Sequence, residues 1–331
     1  MEEIVSSCIY CAIGCKLRYV VDNQKIIRVL PTKEDVVSEG RPCVKGLTIN
    51  EVDDKGRILR PLVREGGKLK EISWDKAFLI LYKILSKYSQ DEIFFTGSGK
   101  ITNEDNFVIQ KFARLALHTN NIDNCCSRLC HMPTLIAFKD AFGIGASPGY
   151  LNEVRDLDSL IIIGSNPASN HPVLFNRIMD MKRKGGKIAV VAPIFSETAE
   201  FADLFVEIVP GSEVLFFNTL MNVIIEKRIY KKIPAGFEDL ELIVESYSPE
   251  IFEKMTGIKK EKIFEIVRLI ENAKKIGIIH GMGLTQHTNA VEILHSLTNL
   301  ALLLDARILT NRGEINVQGS GDMLTFPIPL Q

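Results

Sequence analysis

Seven cysteines occur in 331 residues, and they fall into two groups. Cys8, Cys11 and Cys15 are spaced C-x2-C-x3-C, and Cys43 follows in "GRPCVKG". Four thiolates from one chain can hold structural zinc or an iron–sulfur cluster. Zinc sites usually use two paired knuckles, so three close ligands and one distant one are less like zinc and more like a cubane cluster. Lys45 lies two residues past Cys43. A solvated lysine is its default reading; beside a cluster its charge would stabilise an added electron and could bridge the cluster to a neighbouring cofactor.

The second group is "CCSRLCHMPT", residues 125 to 134, where Cys125, Cys126 and Cys130 precede His131. Clustered thiols in a reducing compartment are more often metal ligands or redox groups than structural disulfides. The residues alone do not say which of the three thiols does chemistry.

These side chains need elements to hold them. "CKLRYVVDNQKIIRVLP" alternates as a β-hairpin around its Asp-Asn turn, and "ISWDKAFLILYKILSKYS" has helical spacing with a start signal at Ser73. Beyond it, short apolar strands ("DEIFFTG", "DSLIIIG", "GKIAVVAP", "DLFVEIVP", "KIGIIHGMG") alternate with amphipathic helices. The helices include "NEDNFVIQKFARLALH", "PVLFNRIMDMKRK", "EVLFFNTLMNVIIEK" and "AVEILHSLTNLALLL". That alternation predicts α/β layers with parallel strands, whose carboxyl ends bind ligands. "GSNPASNHP" (164–172) and "GMGLTQHTN" (281–289) are the richest turns at such ends. Each alone reads more simply as a polar βα turn with glycine for tight geometry.

Composition narrows the class. Hydrophobic residues at 46% and charged ones at 24% argue against disorder. A formal charge of −1 offers no footprint for nucleic acid and no polybasic membrane anchor. "MEEIVSSCIYC" has neither the basic start nor the apolar stretch of a signal peptide, and no apolar run is long enough for a membrane span. A soluble, cytoplasmic protein is expected.

Taken in order, "CIYCAIGC", "GRPCVKG", "GSGKITNEDNFVIQKFAR", "CCSRLCHMPT", "GSNPASNHPVLF", "GMGLTQH" and "RGEINVQGSGDM" resemble the molybdopterin oxidoreductases. The Cys-His pair with "NVQG" narrows the resemblance towards the catalytic subunit of molybdenum- or tungsten-dependent formate dehydrogenase. The resemblance implies an α/β fold: a small β-rich iron–sulfur domain (1–60), then Rossmann-like parallel-sheet domains (61–331). The latter would divide into roughly 61–135 with 312–331, and 136–311. It implies a 4Fe–4S cluster on Cys8, Cys11, Cys15 and Cys43. It also implies a bis-molybdopterin guanine dinucleotide holding molybdenum or tungsten, with Cys130 as the protein ligand.

A soft thiolate suits a metal cycling through two electrons, and His131 beside it can take up a proton near neutral pH. Cys125 and Cys126 then read as packing residues. Arg312 would hold formate's carboxylate through its planar fork. Gly164, Asn166, His171, Gly211, Glu213, Gly281, Gly283 and Gln286 would contact the pterins. Electrons would pass Lys45 to the cluster and on to an electron-accepting partner subunit.

The chain departs from the family pattern at three places. "APIFSET" (192–198) lacks the usual acid and arginine, "LLDARILTNRGE" (303–314) is shortened, and Glu314 stands where glutamine is usual. A carboxylate there would repel formate or alter proton transfer unless paired. Family members also continue into a C-terminal domain that closes over one pterin, so the chain is expected to be a fragment, a subunit that a complementary polypeptide completes, or a decayed paralogue. The alternatives are a nitrate reductase-like member of the same superfamily, or a non-catalytic electron-transfer or scaffold subunit that kept only its cluster.

Overall fold

Alternation of apolar and polar residues builds a three-stranded antiparallel sheet of β1 (Glu2–Ser7), β2 (Lys16–Asp22) and β3 (Lys25–Pro31), order β1-β2-β3. The β2–β3 hairpin turns at Asn23 and Gln24, both with positive φ (46° and 63°), the twist a two-residue hairpin favours. The structure is a computed structural model that describes residues 1–52 and 56–328; residues 329–331 of the expected 312–331 segment lie outside them. Helix α1 (Val44–Leu47) follows Cys43. Leu17, Tyr19, Val29 and Ile49 form this region's core together with Cys8 and Cys15.

A short hairpin, β4 (Leu62–Glu65) and β5 (Lys68–Glu71), leads into α2 (Trp74–Leu85), where the Ser73 side chain accepts from the amide of Lys76. Of "DEIFFTG" only β6 (Phe95–Thr96) is a strand, paired in parallel with β7 (Ile122–Asp123). Between them α3 (Asn103–Lys111) runs into a π-helical turn over Phe112–Ala116. Cys125 to Ser127 form a 3-10 turn, and α4 (Met132–Phe142) begins immediately after His131.

The main sheet is parallel throughout. Its strands are β8 (Ser159–Ile163), β9 (Lys187–Ala192), β10 (Leu204–Glu207), β11 (Ile276–His280) and β12 (Arg307–Thr310), in the order β10-β9-β8-β11-β12. Every residue of β8 and β11 is buried, as continuous Ile-rich runs covered on both faces require. Helices α5 (Pro167–Asn170) and α6 (Pro172–Arg183) follow β8, and α7 (Glu213–Glu226) follows β10. Then come α8 (Phe237–Val244), α9 (Pro249–Thr256) and α10 (Glu261–Glu271), with α11 (Ala290–Leu304) joining β11 to β12. The larger core lies between the sheet and α4, α7, α9, α10 and α11, and the smaller one lies under α6.

The chain lays down β8, β9 and β10 in one direction and then returns to place β11 and β12 on the other side of β8. The reversal opens a crevice between β8 and β11 at their carboxyl ends, where open α/β sheets bind ligands. β12, which carries the chain to Arg312, was not anticipated. Its four residues follow α11 with no glycine or proline to mark a new element.

Two polar networks fix the surrounding pieces. Arg177 is 1% exposed and donates to the carbonyl of Val37 and, at 3.1 Å, to Asn152, while Arg155 pairs with Glu39 and Asp180. These contacts fasten α6 to the β-rich region. The final helix, α12 (Val317–Asp322), is tied to the 95–125 segment through buried Asn106, Ser320, Thr325 and Asn124. Among the described residues no helix is long and apolar enough to cross a membrane.

Candidate functional site

The loop from Cys8 to Cys15 closes on itself, the Cys8 amide donating to the Cys15 carbonyl at 2.8 Å. Cys43 is the residue that starts α1, and its side chain makes no capping bond there. All four thiols line one cavity of about 610 Å³. Burial and then the neighbouring thiols push Cys15 up to about 12; Cys8 and Cys11 are also raised, burial again the largest cause. Such a set resists becoming four thiolates unless a cation compensates them, which is what bound iron does. Among the described residues no three His, Cys, Asp or Glu side chains are gathered to hold a single metal ion.

The same cavity runs past Lys45 to the crevice at the sheet. There it is lined by Gly164, Asn166 and His171 after β8, and by Met282, Gly283 and Gln286 after β11. The two turns touch backbone to backbone. Gly164 has φ +59°, and a Cβ on it would stand 2.9 Å from the Cα of Gly283, whose amide donates to the Gly164 carbonyl at 3.0 Å. A side chain at either position would wedge open the floor of the crevice. Gly164→Ala is expected to destabilise the protein by about 2–4 kcal/mol, combining left-handed strain with a clash against immovable backbone. Thermal unfolding would read this as a lower midpoint, and a variant melting with the wild type would contradict it.

Asn166 donates to Glu197 at 2.6 Å and accepts from the Thr198 hydroxyl at 2.6 Å, so the "APIFSET" segment is held through it. Gly281 is buried beneath the cavity floor, where a Cβ would meet the Gly164 carbonyl oxygen at 2.6 Å. Gly211 and Glu213 do not line this cavity. The Glu213 carboxylate folds back to accept from the Gly211 amide at 2.8 Å and lies 3.6 Å from His287. Their local role is to close the β10–α7 turn.

Cys130 is carried to the same edge of the sheet by the turn before α4. Its Sγ is 3.4 Å from the Met282 sulfur, and Thr285 donates to its carbonyl at 3.4 Å. Cys126 is buried, as packing requires. Cys125 differs from the expectation: it is exposed, and its Sγ lies 2.7 Å from that of Cys130. The 3-10 turn folds it back, the Leu129 and Cys130 amides both donating to the Cys125 carbonyl. Burial and then the Cys125 sulfur raise the Cys130 thiol.

His131 is 2% exposed, and burial followed by the charge of Arg312 pushes its imidazole down to about 3. The ring is therefore neutral at pH 7, unlike the near-neutral titration expected of it from sequence. Its Nε2 is 3.4 Å from the Gln318 Oε1, which also accepts from Arg312 Nη1 at 2.6 Å. Gln318 thus joins His131 to Arg312. It was quoted within "NVQG" but not singled out, and only the fold brings it to His131. Burial lowers Arg312 to about 10, which leaves it charged at neutral pH. Arg312 and Gln318 line a second cavity of about 390 Å³, and His171 bonds the Arg312 carbonyl at 2.6 Å. The Nδ1 atoms of His131 and His171 are buried without partners. Each Nε2 faces an oxygen that can only accept, so the orphaned Nδ1 atoms are acceptors; with a soft thiol beside them, they fit a bound polar cofactor.

Residues 1–52 match the family described as Molybdopterin oxidoreductase Fe4S4 domain, and residues 57–320 match Molybdopterin oxidoreductase. The F420-dependent formate dehydrogenase subunit alpha of Methanocaldococcus jannaschii is 38% identical over 97% of this chain and 49% of its own length. Formate dehydrogenase H of Escherichia coli is 39% identical over 99% of this chain and 49% of its own. The chain therefore spans about half the length of the curated relatives it matches. Acetylene hydratase from Pelobacter acetylenicus shares the fold, with a TM-score of 0.73 at 21% identity over 91% of this chain and 43% of that one.

Proposed function

Because this chain belongs to the molybdopterin oxidoreductase family, with a 4Fe–4S cluster and a molybdopterin as its cofactors, we propose that it forms the N-terminal half of a formate dehydrogenase catalytic subunit. The observation that carries this reading is the Cys130–His131–Gln318–Arg312 group, assembled at the switch point of the parallel sheet. The names of the relatives at 38% and 39% identity support formate as substrate.

When bound, the pterin-held molybdenum or tungsten would supply the two-electron chemistry that takes formate to carbon dioxide and a proton. The protein's part is to bind, orient and exclude water. Arg312 receives the carboxylate on its guanidinium, which makes no hydrogen bond besides that to Gln318 among the described residues. Gln318 holds that guanidinium in place, and its Oε1 also meets the Nε2 of the buried, neutral His131, so the two side chains are oriented together. Cys130 offers the protein's sulfur ligand. Cys8, Cys11, Cys15 and Cys43 hold the cluster, with Lys45 on the cavity wall between it and the crevice.

The other half of the relatives' length would complete the site. The apolar side of α2 supports this, since Trp74, Phe78 and Tyr82 are 62%, 60% and 71% exposed and no residue of the helix is buried. Patches of this kind mark interaction surfaces. That remaining half, on the same polypeptide or on another, would cover it and shield the pterin, and a further subunit would accept electrons. Residues 1–331 by themselves are expected to give no formate-dependent dye reduction, and supplying the remaining half of the relatives' length, joined to them or co-expressed, should give it. Full activity of the isolated chain would refute the incomplete site.

A further inference from the structure

The Glu314 carboxylate, which from sequence would repel formate unless paired, is paired. Its Oε2 lies 2.7 Å from the Lys100 Nζ. We propose that Lys100 and Glu314 form an oriented charge pair that raises the reduction potential of the cluster on Cys8, Cys11, Cys15 and Cys43. The inference rests on those cluster ligands and gives a role to Lys100, which lies within "GSGKITNEDNFVIQKFAR" without having been assigned one.

The pair spans the joint between the two halves of the site. Lys100 comes from the loop after β6 and donates at 3.1 Å to the carbonyl of Tyr10, within the cluster loop, with its Nζ 5.8 Å from the Tyr10 ring centre. Glu314 is bridged to Cys11 in antiparallel fashion, and the Ala12 amide donates to the neighbouring Gly313 carbonyl at 3.3 Å. Both residues line the cluster cavity, and Glu314 also lines the second cavity beside Arg312 and Gln318. Glu314 therefore stands between the two cavities, and Lys100 meets it from the cluster side.

Its polarity has a direction. Lys100 is anchored on the cluster loop through the Tyr10 carbonyl, while Glu314 alone of the two also borders the cavity of Arg312 and Gln318. The positive end faces the cluster, and the negative end faces the Arg312 side. A cluster gains one negative charge on reduction, so a nearby cation favours the reduced form and a nearby carboxylate opposes it. Both side chains are about half exposed, at 48% and 44%, so the pair adds little to folding stability. Its effect falls on the potential.

The test is an EPR-monitored redox titration of the cluster in the assembled complex. Lys100→Gln should lower the midpoint, because a cation is lost and the carboxylate beside Cys11 is left unpaired. Glu314→Gln should raise it. Each is expected to change the oxidised-to-reduced ratio at fixed potential about three- to tenfold, tenfold being ~59 mV for one electron. The double variant should fall back towards the wild type, and Lys100→Arg should match it, since a purely structural tie would not give opposite signs. Midpoints that stay put, or that fall together in both single variants, overturn the proposal. If Lys100→Gln takes up no iron, Glu314→Gln decides alone, a raised midpoint supporting the pair and an unchanged one overturning it. Normal iron with unmoved midpoints sinks only the charge pair, whereas a wild-type complex without iron sinks the cluster assignment as well.

Discussion

Cys130→Ala is expected to abolish formate-dependent dye reduction by the assembled complex while leaving the cluster's iron and its EPR signal intact. Cys130 meets the crevice through the Met282 sulfur at 3.4 Å, whereas the four cluster thiols belong to a separate loop and to the start of α1. Alanine removes the soft ligand and leaves the fold around it, since α4 begins only after His131. Loss of turnover by at least about a thousandfold, or roughly 4 kcal/mol of transition-state stabilisation, is the expected scale. Cys125→Ala and Cys126→Ala should retain most activity. The 2.7 Å approach of Cys125 to Cys130 makes that control informative. An essential Cys125 with a dispensable Cys130 would mean that the ligand role belongs to the other thiol.

Arg312→Lys should cost roughly 30- to 1,000-fold in kcat/KM for formate, about 2–4 kcal/mol, with the charge retained. An ammonium cannot present two parallel donors to a carboxylate while also bonding Gln318. Arg312 does bond Gln318, at 2.6 Å, and through it meets His131. Gln318→Ala should therefore move in the same direction with a smaller effect, having removed the group that orients the guanidinium. The two variants would be compared by steady-state dye reduction across formate concentrations. Wild-type efficiency in Arg312→Lys would show that the carboxylate is held elsewhere.

Much of the framework was legible in local pattern. The hairpin at Asn23–Gln24, the buried runs of β8, β9 and β11, and the ligand-side turns at 164–172 and 281–289 follow from alternation, β-branched runs and glycine placement. What stayed hidden depends on separation along the chain. The strand order that sets the turns after β8 and β11 against each other is a property of the sheet, not of either strand. Gln318 meets His131 across 187 residues, and no spacing rule points from one to the other. Whether Glu314 is paired could not be read from its neighbours, because its partner Lys100 lies in a distant loop. The neutral state of His131 arises from burial and from Arg312, neither of which its neighbours "CH" and "MPT" reveal.

The most direct test of the account is the metal content of the complex purified without oxygen from its native source. The thiol set around one cavity, the Cys130 group at the switch point and the family match over residues 57–320 together predict about four irons for each copy of this chain, and with them about one molybdenum or tungsten. Iron with neither molybdenum nor tungsten would contradict the catalytic reading and leave a chain that only carries electrons. Stoichiometric zinc without iron would contradict the cluster itself.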